Sequence, residues 1–312
     1  METILLLGGF GFIGSNMMDF IDNNLSQQYN VIVFDKVVHH PFDLNFKCVK
    51  KIYSGDFSDI TCLEQIFDEN KIDLILHFIN TTVPSTSGNI KFDIQSNLIS
   101  TIEFINLMIK AKVRKIIYLS SGGAIYGNSS EKKSESAQNY PQSSYGIVKL
   151  TVEKYLMLYS GQNLIDPLIL RLSNPYGPYH FSMKQGIINV AIRSALEKKF
   201  FSVWGSGESL KDYIYIEDFA VILFRLVKLK INNTIINVGS EKMATVNNIL
   251  SQVKNIYPNF TWNYVKAKNF DAEHFELNIT KLKMLLGDYS FTSIEEGILK
   301  TNKWLINLNV KQ

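Results

Sequence analysis

The amino-acid sequence predicts an α/β fold: a doubly wound parallel sheet with a smaller, interleaved α/β unit. Three observations predict it. Short apolar runs alternate with longer helical patterns through the first half of the chain, as expected of parallel strands joined by crossover helices. The first run passes directly into a glycine-rich turn, Gly8-Gly9-Phe10-Gly11-Phe12-Ile13-Gly14. Beyond Arg171 the alternation breaks at Asn174-Pro175-Tyr176-Gly177-Pro178, a dense cluster of turn residues.

In chain order, strands are expected at Thr3–Leu7, Val31–Phe34, Val49–Tyr53, Leu74–His77, Lys115–Leu119 and Leu168–Leu172. They are nearly all apolar, the pattern of strands covered by helices on both faces. Helices are expected near Gly14–Asn23, Leu63–Glu69, Asp93–Ala111 and Tyr145–Tyr159, and the polar stretch Asn128–Gln142 reads as a surface loop. After the turn cluster come mixed helices and short strands around Trp204-Gly205-Ser206-Gly207, and one further strand at Thr234–Gly239. This organises the chain as residues 1–175 with about 217–240 in the large unit, and about 176–216 with 241–312 in the small one.

Composition excludes several classes. The 312 residues are 46% hydrophobic and 20% charged, with a net charge of +3, which is ordinary for a packed globular protein and too weak to argue for nucleic acid. Two cysteines, Cys48 and Cys62, make neither a disulfide framework nor a metal knuckle and fit a reducing, cytoplasmic setting. No metal site is expected. Ile4–Leu7 is too short for a signal peptide, and no apolar run is long enough to cross a bilayer.

The glycine turn carries the first chemistry. Gly8, Gly11 and Gly14 permit a tight turn, close approach of backbone to a pyrophosphate, and close helix–strand packing, as in the Rossmann fold. At the helix start, Phe12 and Ile13 offer unpaired N–H groups to the anion. The second strand ends at Asp35, roughly 20 residues past the turn, where an acid can accept hydrogen bonds from an adenosine ribose. Its carboxylate would repel a 2′-phosphate, so NAD is favoured over NADP; the adjacent Lys36 softens that preference.

The second constellation is Tyr145-Gly146-Ile147-Val148-Lys149. Four residues apart on a helix, the phenol and the ammonium share one face. The cation would favour phenolate, so the tyrosine is expected to act as acid and base close to neutral pH. Tyr264 and Lys268 have the same spacing but lie in no obvious helix. Tyr145 lies just past the fifth strand and Ser120-Ser121-Gly122-Gly123, where a strand end faces the ligand crevice of an open sheet.

With these residues in hand, the chain resembles the extended short-chain dehydrogenase/reductases, specifically the nucleotide-sugar epimerase/dehydratase family, and within it UDP-glucose 4-epimerase-like proteins. Further matches run through Gly55-Asp56-Phe57, His77, Ser120–Gly127, Arg171–Gly177, Lys211–Asp218 and Asn237-Val238-Gly239. The resemblance implies NAD as cofactor, a nucleotide sugar such as a UDP-hexose as substrate, and a role in polysaccharide biosynthesis. By the same resemblance Asp56 and Phe57 border the adenine, Tyr145 exchanges the sugar proton, and Lys149 holds the nicotinamide ribose. Thr82 and Asn174 would contact the substrate, Trp204 the nucleobase, and Lys211 and Lys268 the diphosphate. Asp271 would bind the nucleotide ribose, and Phe275 would gate bulky C2 substituents. Lys211 stands where an arginine is usual, keeping the charge but not the bidentate fork. The resemblance also implies a homodimer paired through 93–111 and 145–159; Ile94, Leu98, Ile102, Ile105 and Ile109 fit that reading and a core-facing stripe equally.

One departure concerns the reaction itself. Many relatives carry Ser or Thr four residues before the tyrosine that is Tyr126 here; this chain has Gly122. Either Ser121, one residue away, is re-aimed at the double glycine, or Tyr145 works alone. NAD-dependent 4-epimerisation through a 4-keto sugar is therefore weighed against 4-keto-sugar reduction, which often uses NADPH, and against a non-catalytic dinucleotide-binding protein. A 4,6-dehydratase would need an Asp-Glu pair where Gly123-Ala124 stands.

Overall fold

The computed structural model describes residues 1–40, 44–82, 88–129, 131–182, 185–266 and 274–309. Seven parallel strands form its centre: β1 (Glu2–Leu7), β2 (Tyr29–Asp35), β3 (Val49–Ser54), β4 (Leu74–His77), β5 (Lys115–Ser121), β6 (Asp166–Leu172) and β10 (Thr234–Val238). Their order is β10-β6-β5-β4-β1-β2-β3. The chain reverses direction across the sheet between β1 and β4, which opens a crevice at the carboxyl ends of those strands.

The apolar runs explain the two cores. Along β1 alternate side chains face opposite ways. Ile4 and Leu6 pack with Met17, Met18, Phe219 and Leu223 on one face; Leu5 and Leu7 pack with Leu63, Phe104 and Met108 on the other. Helices α1 (Phe12–Asn24) and α8 (Ile216–Lys228) cover the first face. Helices α2 (Ile60–Glu69), α4 (Ser100–Lys110) and α6 (Ser144–Gly161) cover the second. Each fully buried leucine or isoleucine contributes about 1.5–3 kcal/mol.

The helix expected over 93–111 is interrupted. A short α3 (Ile90–Asp93) runs into a π-helical stretch, Ile94–Ile99, before α4 begins. Local hydroxyls stabilise the change of register: Thr101 Oγ1 donates to Asn97 O (2.6 Å) and Ser100 Oγ to Gln95 O (3.1 Å). The inserted residue turns Asn97 inward, where its Oδ1 accepts from Thr81 N at 2.9 Å. The expected apolar stripe splits as a result. Ile105 is buried and Leu98, Ile102 and Ile109 are half-buried in the core, whereas Ile94 faces outward.

After β6 the chain leaves the large sheet. Residues 174–178 were expected to form turns only, yet Asn174–Tyr176 is a short strand, β7, that pairs with β9 (Leu210–Tyr215). Gly177 then ends it at φ 145°, with Ile216 Cγ2 only 2.5 Å from where a Cβ would stand. Strands β11 (Met243–Thr245) and β13 (His274–Phe275) flank β9, and β8 (Phe201–Trp204) pairs with β12 (Trp262–Val265). A third core of Ile188, Ile192, Tyr213, Ile249 and Val253 fills this smaller body, under α7 (Ile187–Leu196) and α9 (Val246–Ile256). Helices α10 (Thr280–Leu286) and α11 (Ile294–Asn309) close the chain. Both cysteines are free thiols, and among the described residues no helix is long and apolar enough to cross a membrane.

Part of the loop expected at 128–142 is pinned down. Lys133 exchanges backbone hydrogen bonds with Glu276 and Asn278 (3.0 and 2.9 Å), and Glu135 accepts from Asn237 N at 2.9 Å. Both tie it to a buried polar network. Arg171, 1% exposed, forms an ion pair with Glu153 (2.7 Å) and donates to Tyr126 Oη (2.6 Å). Tyr126 in turn donates to Asn237 Oδ1 (2.8 Å). Several residues quoted for the family resemblance are thus scaffold: they join α5 (Gly122–Tyr126), α6, β6 and β10.

Candidate active site

The glycine turn is built for close approach. Gly8 N continues the strand pairing to Phe34 O (2.8 Å), and Gly8 itself lies at φ +80°, a region open to glycine without steric cost. A Cβ on Gly14 would sit 2.4 and 2.5 Å from the carbonyl oxygens of Gly8 and Gly9. Gly11 caps α1 with no side-chain hydrogen bond. The first-turn N–H groups of Phe12, Ile13 and Gly14 therefore have no intrahelical acceptor and point a partial positive charge at the turn.

At the end of β2, Asp35 accepts from Phe10 N (2.9 Å) and Val37 N (3.4 Å), which fixes its carboxylate beside the turn. Lys36 pairs with Asp56 at 3.4 Å. The Ser58 hydroxyl and backbone N–H, with Lys36 assisting, hold the Asp56 carboxyl below its usual range. The Phe57 ring is buried with its edge against His77 (5.2 Å), so that side chain belongs to the core.

On α6, Ser143 accepts from Gly146 N (3.1 Å) and starts the helix. Tyr145, Lys149 and Glu153 follow at intervals of four on one face. Gly146 lets the helix close on α5, since a Cβ there would sit 2.3 Å from Ala124 O. Lys149 donates to Leu119 O at 2.8 Å, and its Nζ lies 4.6 Å from the centre of the Tyr118 ring and 5.9 Å from that of Tyr145. The Ser121 side chain hydrogen-bonds the Tyr145 phenol. Ser121 ends β5, and α5 starts at Gly122. A side chain on Gly122 would not face the phenol: its Cβ would meet Leu277 Cδ2 at 2.9 Å and Phe275 Cζ at 3.0 Å. The hydroxyl beside the phenol is that of Ser121, at the strand end.

The electrostatics differ from the expectation. Burial pushes Tyr145 up to about 12, with the Ser121 hydrogen bond acting in the opposite direction. Burial drives Lys149 down to about 7, against the pull of Glu153. Desolvation governs both groups: burial raises the phenol and, by disfavouring the ammonium, weakens the cation that the spacing alone suggests.

These groups open onto one cleft of about 560 Å³ at the carboxyl edge of the sheet, between the large and small bodies. Phe12, Ile13, Ser121, Tyr145, Lys149, Asn174, Trp204 and Lys211 all line it. Asn174 is steadied by donating to Asp212 O (2.8 Å). Among the described lining residues there is no carboxylate, while Lys149 and Lys211 bring amino groups. Thr82 and Phe275 are not in the lining. Thr82 is buried, its hydroxyl taking Asn97 Nδ2 at 3.3 Å, and Phe275 is buried against Gly122. Lys268 and Asp271 lie outside the described residues. No group of three or more metal-ligating side chains occurs among the described residues. A second cavity of about 510 Å³, lined by Phe20, Tyr29, Leu168 and Phe224, opens at the opposite edge of the sheet and touches none of these groups.

The structure adds residues that the sequence did not single out. His180 lines the cleft and stacks on Phe12, with ring centres 4.3 Å apart; burial pulls it down to about 4, leaving it neutral. The hydroxyls of Ser120 and Ser173 border the same cleft and are buried without a partner among the described residues, a state native proteins rarely leave unsatisfied. With the glycine cradle and the fixed Asp35, these open hydroxyls fit a dinucleotide laid across the strand ends. In sequence Ser120 and Ser173 stand inside matched stretches with no role of their own, since a hydroxyl's lack of a partner is visible only in the fold.

A family model described as "NAD dependent epimerase/dehydratase family" matches residues 4–239. A Methanocaldococcus jannaschii protein provisionally named UDP-glucose 4-epimerase is 30% identical, over 98% of this chain and 99% of its own. The dTDP-4-dehydro-6-deoxyglucose reductase of Escherichia coli is 29% identical over 80% of each chain. Among solved structures, the UDP-glucose 4-epimerase of Thermotoga maritima with UDP-glucose superposes with a TM-score of 0.89 at 27% identity, covering 98% of this chain and 99% of that one.

Proposed function

This chain belongs to the NAD dependent epimerase/dehydratase family, and from that premise we propose that it inverts C4 of a nucleotide-activated hexose, with UDP-galactose and UDP-glucose as the pair to test first. The observation that carries the reading is the Ser121–Tyr145–Lys149 group at the carboxyl end of β5, in a cleft whose described lining has no carboxylate.

The first-turn amides of α1 would hold the cofactor's pyrophosphate, and Asp35 and Asp56 its adenosine half. When bound, NAD supplies reversible acceptance of a hydride from the sugar carbon. This chain's residues do the rest. Tyr145 removes the proton from the C4 hydroxyl and later returns it. Ser121 steadies the phenol oxygen by hydrogen bonding, so the charged form is favoured when the proton is taken. Lys149, held by Leu119 O, sits where it can bind a ribose hydroxyl. Lys211 and Asn174 orient the diphosphate and leave the sugar end free to turn, and Trp204 offers a face to the base. We assign residues 1–175 with about 217–240 to cofactor binding, and 176–216 with 241–312 to the sugar nucleotide.

The lack of a carboxylate among the described lining residues argues against dehydration, which needs an acid and a base to remove water across C5 and C6. The relative named as a reductase keeps a second reading in play: reduction of a 4-keto sugar with consumption of reduced cofactor. Conversion of UDP-galactose to UDP-glucose with no net change in NADH supports the epimerase. Stoichiometric NADH oxidation by a 4-keto sugar nucleotide, with no interconversion of the hexoses, replaces it with the reductase.

A homodimer belongs to the same proposal. Ile90, Phe92 and Ile94 of the α3 region and Ile147, Tyr155 and Leu158 of α6 are exposed, and α3 lies beside α6, so these side chains offer an apolar surface that a second copy would cover. Two free thiols fit a cytoplasmic setting.

A further inference from the structure

We propose that Phe275 is a positioning residue that holds Ser121 against Tyr145, coupling the small body's grip on the substrate to the alignment of the two hydroxyls; this rests on the reading of that pair as the proton-handling group. The geometry begins in the small body. The Phe275 backbone pairs with Lys211 in the β13–β9 ladder, so Phe275 sits on the strand hydrogen-bonded to the one that presents Lys211 to the cleft. The Phe275 side chain is 3% exposed and does not line the cleft.

Its ring rests on the double glycine. A Cβ at Gly122 would lie 3.0 Å from Phe275 Cζ, and one at Gly123 would lie 3.5 Å from Phe275 Cδ1. Leu277, fully buried, meets the same Gly122 position at 2.9 Å. Interiors packed to this density do not admit even one added methyl without movement. Gly122 is therefore the form of the chain that lets the ring and the leucine seat together. Backbone hydrogen bonds from Lys133 to Glu276 (3.0 Å) and from Asn278 to Lys133 (2.9 Å) fasten the segment on the far side.

Ser121 immediately precedes that seat. Its side-chain direction is set by where β5 stops and α5 starts, and the ring fixes that point. Removing the ring leaves a cavity beneath the first turn of α5, into which the turn can sink and draw the Ser121 hydroxyl off the phenol. Displacements of about 1 Å in a catalytic group can cost on the order of 100-fold in rate.

The test is a coupling experiment on full-length enzyme with UDP-galactose. Phe275→Ala is expected to lower kcat about 10- to 100-fold while KM changes by less than about threefold, the mark of an interaction that matters in the transition state. Phe275→Leu restores most of the rate. Because Phe275 acts through Ser121, the double variant Phe275→Ala/Ser121→Ala should be no slower than Ser121→Ala alone. Independent, multiplying effects, or a change confined to KM, overturn the proposal. Should Phe275→Ala fail to fold, Gly122→Ala probes the contact from the other side. It should slow the native enzyme and slow Phe275→Leu less, and equal slowing in both overturns the proposal. Tyr145→Phe run alongside separates the two levels. Full turnover in that variant removes the reading of the pair and this proposal with it. Lost turnover together with multiplying Phe275 and Ser121 effects removes only the positioning role.

Discussion

The Ser121 hydroxyl is hydrogen-bonded to the phenol of Tyr145, although 24 positions of chain and a change of element separate them. The bond exists because β5 ends at Ser121 and α6 begins at Ser144, both at the carboxyl edge of the sheet. If this pair exchanges the sugar proton, Tyr145→Phe should lower turnover on the order of 10³-fold, within the range of general acid–base contributions, and Ser121→Ala by less, about 10-fold to 100-fold. Both variants should retain NAD, measured as cofactor released on denaturation. Unchanged turnover in Tyr145→Phe removes the phenol from the chemistry.

The pH profile follows from the same bond. Burial pushes Tyr145 up to about 12, and Ser121 stabilises its charged form. The phenolate fraction in the free enzyme therefore grows with pH, so kcat/KM should climb between about pH 6 and pH 9. Loss of the Ser121 hydrogen bond raises the phenol further, so the Ser121→Ala profile should move toward higher pH. A profile that is flat, or that moves the other way, contradicts this.

Lys149 makes a prediction about stability. Its folded value is near 7 against an ordinary 10.5, because burial disfavours the cation. Between these values the unfolded chain binds the extra proton, so this group's contribution to stability rises with pH across that window. Below it the folded protein carries the full penalty, on the order of a few kcal/mol. Relative to wild type, Lys149→Met should gain most Tm near pH 6 and lose that advantage progressively toward pH 10. A constant difference between the two melting curves would count against the shift.

The buried Arg171–Glu153 pair predicts a non-additive result. Arg171→Met strands the Glu153 carboxylate among apolar neighbours and should cost about 3–5 kcal/mol in denaturant unfolding. The double variant Arg171→Met/Glu153→Met should be less destabilised than that single variant. Additive losses would show that the two side chains are not energetically coupled.

The proposed dimer depends on side chains that the chain leaves exposed. Ile147→Glu and Leu158→Glu should each shift sedimentation from dimer to monomer at micromolar concentration, with the fold and its far-ultraviolet circular dichroism kept. A wild-type protein that sediments as a monomer refutes the dimer at once.

The large sheet was legible because its strands are apolar on both faces, as Ile4 to Leu7 show, and because the glycine turn has few other uses. Leu74–His77 coincides with the observed strand; five others lengthen by one to three residues, where flanking polar residues such as Asp166 and Ser121 still pair, and the one expected at Thr234–Gly239 ends a residue earlier, at Val238. The π-helical stretch at Ile94–Ile99 was not legible. Its cause is a long-range contact, Asn97 reaching Thr81, and a periodicity argument sees only neighbours. The same limit hid the role of Gly122. In sequence it reads as a lost hydroxyl; in the fold it makes room for Phe275, which lies 153 positions away. The electrostatic expectation failed for a related reason: spacing gives the direction of a charge–charge effect, but only the fold gives the burial that raises the phenol and lowers the lysine.

The hydroxyl of Tyr126 reaches across 111 positions to Asn237, on the strand that completes the large sheet only after the chain has made its excursion through β7, β8 and β9. Loops of that length close late, since their entropy must be lost before the contact rewards it. During synthesis the segments bearing Ser121, Tyr145 and Lys149 emerge long before their far clamp exists. A ribosome-bound chain ending before β10 should thus be a catalytic mute, and one that extends past it gains its voice in a single cooperative event.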